Sequence, residues 1–120
     1  MRIALIDAGD TAPGGRYGAY VDSLVGRLES HGHVVDHVRL TQLELHPCTG
    51  CWSCWVKTPG RCAQSDDSSR VLRAYLAADL VLFATPLSLG FVRGVMKEMI
   101  DKLIPLFCPH IEVYRGECVH

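Results

Sequence analysis

The chain opens on an unbroken apolar run over residues 3–6, ending at Asp7, with no alternation of polar positions. Such a run predicts a central parallel strand covered on both faces. Gly9, Asp10, Thr11, Pro13, Gly14 and Gly15 then make a loop, after which Tyr20, Val21, Leu24, Val25 and Leu28 recur at helical spacing, with Gly32 as the C-cap. Residues 34–40 predict a second strand, and Asp36, His37 and Arg39 within it mark a less covered position at a sheet edge. Ser65, Asp66 and Asp67 supply capping oxygens for a helix whose apolar face is Val71, Leu72, Tyr75 and Leu76. Residues 80–84 form the most apolar strand. Beyond it, Val92, Val95, Met96, Met99, Ile100 and Leu103 predict a third amphipathic helix, ended by Pro105 and Pro109. The tail, residues 111–120, alternates loosely around Arg115 and Gly116 and reads as a ragged hairpin.

Strand and helix thus alternate three times, which predicts an α/β fold. Its open parallel sheet is wound right-handedly with helices on both faces, in strand order 2-1-3. The third strand is then an edge, yet it lacks the charges and prolines that protect edges. Something is expected to pair with it, and further strands beyond residue 120 are the favoured candidate, ahead of a second subunit or an exchanged tail. Residues 45–65 hold no sustained period but contain Pro47, Gly50, Pro59 and Gly60, and read as a functional insertion, Cys-rich over 46–64, in a single domain spanning 1–120.

At 120 residues, with 48% apolar and 21% charged residues, one globular core is expected. The formal net charge is −1 and no run of Lys or Arg interrupts the mixture, so neither nucleic acid nor anionic lipid is expected as a partner. The first apolar run is too short for a signal peptide and no stretch approaches membrane-spanning length, which places the chain in the cytoplasm. Six cysteines are many for a reducing compartment, and clustered ones there read as metal or redox residues.

Three constellations carry candidate chemistry. In an open α/β sheet, ligands sit outside the carboxyl ends of the strands, where N–H groups at a helix start bind phosphate. The turn after the first strand offers Gly9, Thr11, Gly14, Gly15, Arg16 and Tyr17 for this; the plainer reading is an ordinary strand-to-helix loop. The exit of the third strand, Thr85, Pro86, Leu87, Ser88, Leu89 and Gly90, can present main-chain donors to the edge of a flat heterocycle while Leu87 and Leu89 cover its face; the plainer reading is a simple strand exit. Cys48, Cys51 and Cys54, with Cys62 further on, have the spacing of iron-sulfur ligands; a structural zinc, or reduced thiols packed against Trp52 and Trp55, are the alternatives. Cys108 and Cys118 read as isolated thiols, Met96 and Met99 as helix core, and His31, His33 and His37 as solvated. His46 and His110 lie closer to the candidate site.

The run Pro47-Cys48-Thr49-Gly50-Cys51-Trp52-Ser53-Cys54, then Gly60-Arg61-Cys62, Asp66-Asp67, Ala78-Asp79, residues 85–90, Met96-Lys97 and Ile100-Asp101-Lys102, taken in order, resembles the NAD(P)H-dependent FMN reductases of flavodoxin-like fold, including the iron-sulfur flavoproteins. The resemblance implies FMN phosphate on residues 9–17, the isoalloxazine against residues 86–90, and, in the cluster-bearing branch, a [4Fe-4S] centre on Cys48, Cys51, Cys54 and Cys62. It implies NAD(P)H as co-substrate, a quinone, flavin or iron-sulfur acceptor, and a homo-oligomer. The alternatives are an electron carrier serving a protein partner, and a flavin-free interaction module with a zinc or thiol loop. Three departures stand out. Gly9 is followed by Asp10 and the loop ends in Arg16-Tyr17, where the family has Gly-Ser and Asn followed by Ser or Thr; Arg16 is expected to offset Asp10. Ser88 replaces a common aromatic, whose place Trp52 or Trp55 can take. The chain stops about where the family's fourth strand begins.

Overall fold

The computed structural model describes residues 1–10, 15–107, 110 and 112–119. Strands β1 (Arg2–Asp7), β2 (Val34–Arg39) and β3 (Leu80–Ala84) form one parallel sheet in the order β2-β1-β3. The register runs from Arg2 opposite Val34 to Asp7 opposite Arg39 on one side, and from Ile3 opposite Leu80 to Asp7 opposite Ala84 on the other. Ile3, Ala4, Leu5 and Ile6 are fully buried, whereas β2 is mostly half-buried. This is the contrast expected between a central and an edge strand.

Even positions of β1 face one way and odd positions the other. Ala4, Ile6 and Ala8 join Val38, Leu40, Val71, Leu72, Ala74, Met96 and Met99 in one core. Its helices are α3 (Ser68–Ala77) and α4 (Gly94–Asp101); the short α2 (Ser53–Val56) lies between β2 and α3 in the chain. Ile3 and Leu5 face the opposite side, that of α1 (Arg16–Ser30), whose one buried residue is Val21. The right-handed crossovers out of and back into a 2-1-3 sheet place the two connecting helices on opposite faces. α1 ends as expected: Gly32, at φ 81°, lets its own N–H reach Glu29 O at 2.9 Å and the His33 N–H reach Leu28 O at 3.2 Å, the double closure that a left-handed residue permits.

Two elements differ from expectation. The third amphipathic helix is shorter than its apolar period: it ends at Asp101, and Pro105 sits inside a separate 3-10 turn, Ile104–Leu106. Residues 85–92 fold as a small antiparallel hairpin, β4 (Leu87–Ser88) and β5 (Phe91–Val92). The tail is the expected hairpin, β6 (Glu112–Tyr114) against β7 (Glu117–Val119). β3 pairs only with β1 among the described residues, leaving Leu80 and Phe83 exposed on its edge, Phe83 by 44%.

Among the described residues one ion pair is wholly inside. Lys102, just past α4, is 1% exposed in its side chain and meets Asp66, at 0%. Burial alone would push the Asp66 carboxyl up; hydrogen bonds from Lys102, from the Ser68 hydroxyl and from the His46 and Ser68 N–H groups outweigh it and hold the carboxyl well below the usual range. A carboxyl depressed in the folded state contributes stability above its unfolded value of about 3.9, and that stability is lost as pH falls toward the folded value. Urea unfolding followed by tryptophan fluorescence should therefore show a midpoint that is level from pH 7 to 5 and declines below about pH 4. Asp66→Asn should cost about 3–5 kcal/mol at pH 7, because it strands a buried ammonium, and should flatten the acid decline. An unchanged acid limb in Asp66→Asn would assign that limb to other carboxylates.

Candidate functional site

The carboxyl ends of all three sheet strands meet at Asp7, which lies between Arg39 and Ala84. Its buried carboxylate gathers three donors: Gly9 N–H at 2.7 Å and Tyr17 Oη at 2.7 Å on Oδ1, and His37 Nε2 at 3.0 Å on Oδ2. Burial would raise the Asp7 carboxyl, but these bonds together with the His37 charge hold it below the ordinary carboxylate range. Tyr17 moves the other way, since burial and then the adjacent Asp7 both disfavour its phenolate. An ionised carboxylate only accepts, so His37 donates from Nε2. His37 is 13% exposed, which corrects the expectation of a solvated histidine: an edge strand still has one covered face.

Gly9 is required here. A Cβ at this position would stand 2.0 Å from Tyr17 Cε1, so any side chain would drive the ring off Asp7. Thr41 Oγ1 donates to Gly9 O at 3.1 Å, adding a second hold on the turn. Gly15 is the N-cap of α1, with no side-chain bond to the helix and no acidic residue in the first turn. Among the described residues no side chain caps the first N–H groups of this fifteen-residue helix, and a helix start of that kind is where an anion can bind. Arg16 is exposed at the first helical position. Thr11 and Gly14, named from sequence for the same loop, lie outside the described residues.

Arg93 was not singled out from sequence, yet it joins the two loops. Its Nη1 donates to Ala8 O at 3.1 Å and to the Asp10 carboxylate, while its backbone N–H donates to Thr85 Oγ1 at 3.2 Å. The residue that offsets Asp10 is thus Arg93 rather than Arg16. Nothing in the local pattern separates Arg93 from a solvated cation at a helix start.

The hairpin 87–92 follows Thr85 and Pro86. Leu89 at φ 51° and Gly90 at φ 82° form its tip, the left-handed pair that a two-residue hairpin turn demands. For Leu89 this conformation costs about 1–2 kcal/mol, and its side chain is 97% exposed. Leu87 and Phe91 are exposed as well.

The Cys-rich segment is closed at its neck. Glu44 N–H donates to Asp67 Oδ2 and Asp67 N–H to Glu44 O, both at 2.9 Å. His46 N–H donates to Asp66 Oδ2 at 3.0 Å. Asp66 Oδ1 takes the Ser68 N–H and hydroxyl, so Asp66 supplies the helix-start oxygen while the Asp67 side chain turns back to the neck. Farther along, Trp55 Nε1 donates to Ile104 O at 3.1 Å. The Trp52 ring lies 4.7 Å from that of Trp55, with Trp52 itself left-handed at φ 56°. His46 pairs with exposed Glu44 at 3.3 Å and His110 is exposed.

Cys48, Cys51, Cys54 and Cys62 line one small pocket together with Ile104. All four are free thiols. Burial, then the charges of Cys62, Cys48 and Cys51, raise the Cys54 thiol; hydrogen bonds from Ser53 and Thr49 lower exposed Cys51. Four thiols that repel one another when ionised make a site that a cationic group would stabilise. Among the described residues no three His, Cys, Asp or Glu side chains are gathered as ligands of a single ion. In a [4Fe-4S] cluster held by four cysteines each thiolate binds a different iron, so the ligands stand wider apart than on one ion. The residues fit such a group.

The chain is similar to known proteins in sequence and in fold. The model of the NADPH-dependent FMN reductase family matches residues 1–117. An iron-sulfur flavoprotein of Archaeoglobus fulgidus is 33% identical over 85 residues, covering 71% of this chain and 38% of that protein. A second from the same organism is 35% identical over 82 residues, 68% of this chain and 39% of its own. One from Methanocaldococcus jannaschii is 28% identical over 99 residues, 82% and 50%. The chain thus spans half or less of these curated relatives. Among solved structures, a candidate quinone reductase of Klebsiella pneumoniae superposes with TM-score 0.66 at 24% identity, covering 86% of this chain and 45% of that one. RosB, bound to the intermediate 8-demethyl-8-formylriboflavin-5'-phosphate, gives 0.64 at 16% identity, 87% and 42%. With its α/β flavodoxin-like sheet and its match over residues 1–117, the chain belongs to the NADPH-dependent FMN reductase family.

Proposed function

We propose that this chain carries the FMN phosphate site and the metal-cluster site of an iron-sulfur flavoprotein oxidoreductase that passes electrons from NAD(P)H to a quinone, a flavin or an iron-sulfur centre. The observation that carries the reading is the convergence of Cys48, Cys51, Cys54 and Cys62 on one pocket, in a chain whose relatives are named iron-sulfur flavoproteins. Bound FMN would supply hydride acceptance and electron release, and a cluster single-electron exchange.

The chain's own residues bind and orient. The start of α1 at Gly15 and Arg16, uncapped by any side chain among the described residues, would offer its first N–H groups to the phosphate. Arg93 cancels the Asp10 charge that would repel that phosphate. Asp7, Tyr17 and His37 hold the turn from beneath. The segment Thr85, Pro86, Leu87, Ser88, Leu89 and Gly90 presents the flavin edge with main-chain donors, to which Pro86, lacking an N–H, adds none, and Arg93 keeps that hairpin in register with the phosphate turn.

A second reading, a one-electron carrier with a protein partner, is favoured by the exposure of Cys48, Cys51 and Trp52, which leaves a cluster within reach of a docked protein. Assembly into a homo-oligomer, which the family resemblance implies, belongs to the proposal. So does a cytoplasmic location, where free thiols persist. Among the described residues no helix is long and apolar enough to cross a membrane.

An anaerobic visible spectrum, with iron and sulfide assayed on the same sample, tests the reading. Flavin bands with a broad brown shoulder and matching iron are expected. A spectrum that stays featureless after FMN, iron and sulfide are added would leave a flavin-free interaction module. Arg93→Ala should weaken FMN binding roughly tenfold or more, the worth of one charge-assisted contact, as read by flavin fluorescence quenching. Asp10→Asn in the same chain should recover most of the loss. Equal affinity in Arg93→Ala and wild type would remove Arg93 from the phosphate site.

A further inference from the structure

We propose that Lys102 and Asp66 are positioning residues for the cluster: their buried ion pair clamps both ends of the cysteine segment to the exit of α4 and so holds the four thiols in register. The inference rests on the cluster reading above. Lys102 Nζ donates to the Asp66 carboxylate and to Gln64 Oε1 at 2.8 Å. Gln64 stands two residues after Cys62. The Asp66 oxygen that meets Lys102 also accepts the His46 N–H at 3.0 Å, two residues before Cys48. One ammonium and one carboxylate therefore touch the chain just outside the first and the last cysteine.

The clamp has a rigid base. Asp66 is tied to the start of α3 through the Ser68 N–H and hydroxyl. Lys102 follows directly on α4, and the next turn supplies Ile104, whose carbonyl accepts Trp55 Nε1 and whose side of the chain lines the cysteine pocket. Between its ends the segment's only helix is the four residues of α2, too short to fix the thiols by itself. Replacing a buried ion pair by apolar residues of similar volume is often stabilising. What the charged pair provides instead is direction: several hydrogen bonds at fixed angles, and among the described residues no buried side-chain polar atom is left without a partner. α4 spans eight residues, about 12 Å, and follows directly on the Arg93 that holds the flavin-facing hairpin. The clamp thus also fixes how far the cysteine pocket stands from that hairpin.

The test is the rate at which anaerobically reconstituted protein loses iron to a chelator, followed by bleaching of the cluster absorbance, with the reduced cluster's EPR spectrum and FMN affinity measured alongside. Lys102→Met is expected to release iron roughly tenfold faster or more, as loss of outer ligand-supporting partners does elsewhere, and to broaden the EPR spectrum while FMN affinity holds. Gln64→Ala, at a half-buried position that leaves the ion pair intact, should show a smaller acceleration; it carries the test if Lys102→Met does not fold. Asp66→Asn combined with Lys102→Met should retain iron better than Lys102→Met alone, since no buried charge is stranded. Iron release at the wild-type rate in Gln64→Ala and Lys102→Met would overturn the clamp and leave the cluster reading standing. So would parallel loss of iron and FMN, which marks general unfolding. Wild-type protein that holds no iron after reconstitution would remove the cluster reading, and the clamp with it.

Discussion

Because Ile3, Ala4, Leu5 and Ile6 are shut off from water on both faces, every peptide group of β1 has to find its partner in a neighbouring strand. β2 supplies those partners from Arg2 to Asp7 and β3 from Ile3 to Asp7. Burying Ile3, Leu5 and Ile6 contributes about 1.5–3 kcal/mol each, and it does so only if helices cover both faces. The handedness of the crossovers then leaves little choice: α1 takes one face, α3 and α4 the other. The two loops leaving the carboxyl ends of β1 and β3 are brought side by side by the same constraint, at the place where open α/β sheets bind ligands.

Two buried carboxylates carry this order into the loops. Asp7 terminates the central strand and binds Gly9 and Tyr17 ahead of it and His37 beside it. Asp66 precedes α3 and binds His46, Ser68 and Lys102. In both cases burial disfavours the charge and several donors restore it, so the charge is stable only while the surrounding turn keeps its shape. A local turn is thereby made to share the cooperativity of the sheet and helices it leaves.

What was legible in the sequence follows from locality. The three sheet strands, their order, the long helices and the Gly32 terminus depend on apolar period and on a glycine at a helix end, and these are written in neighbouring residues. The grouping of Cys48, Cys51, Cys54 and Cys62 was equally open, because they are close along the chain. The hairpin 87–92 was not: two-residue strands have no period, and a leucine at a left-handed tip gives no turn signal. The contacts of Arg93, Lys102 and His37 were not legible for a different reason. Each is a polar residue whose role depends on a carboxylate more than 25 positions away, and a charge pattern read along the chain treats such residues as solvated.

The strained tip bears on how the site is built. A hairpin of two pairs has little stability of its own, and Leu89 subtracts from it. It stays in place because Thr85 Oγ1 accepts the Arg93 N–H across its open end, and Arg93 is anchored in turn to Ala8 O and Asp10. The conformation of the hairpin 87–92 therefore depends on the turn after β1 through one side chain. A ligand bridging both loops would gain from that coupling, since ordering either one already restrains the other. The same arrangement explains how an acidic residue is tolerated at position 10: the carboxylate that would repel a phosphate is the group that holds Arg93, and through it the hairpin, in position.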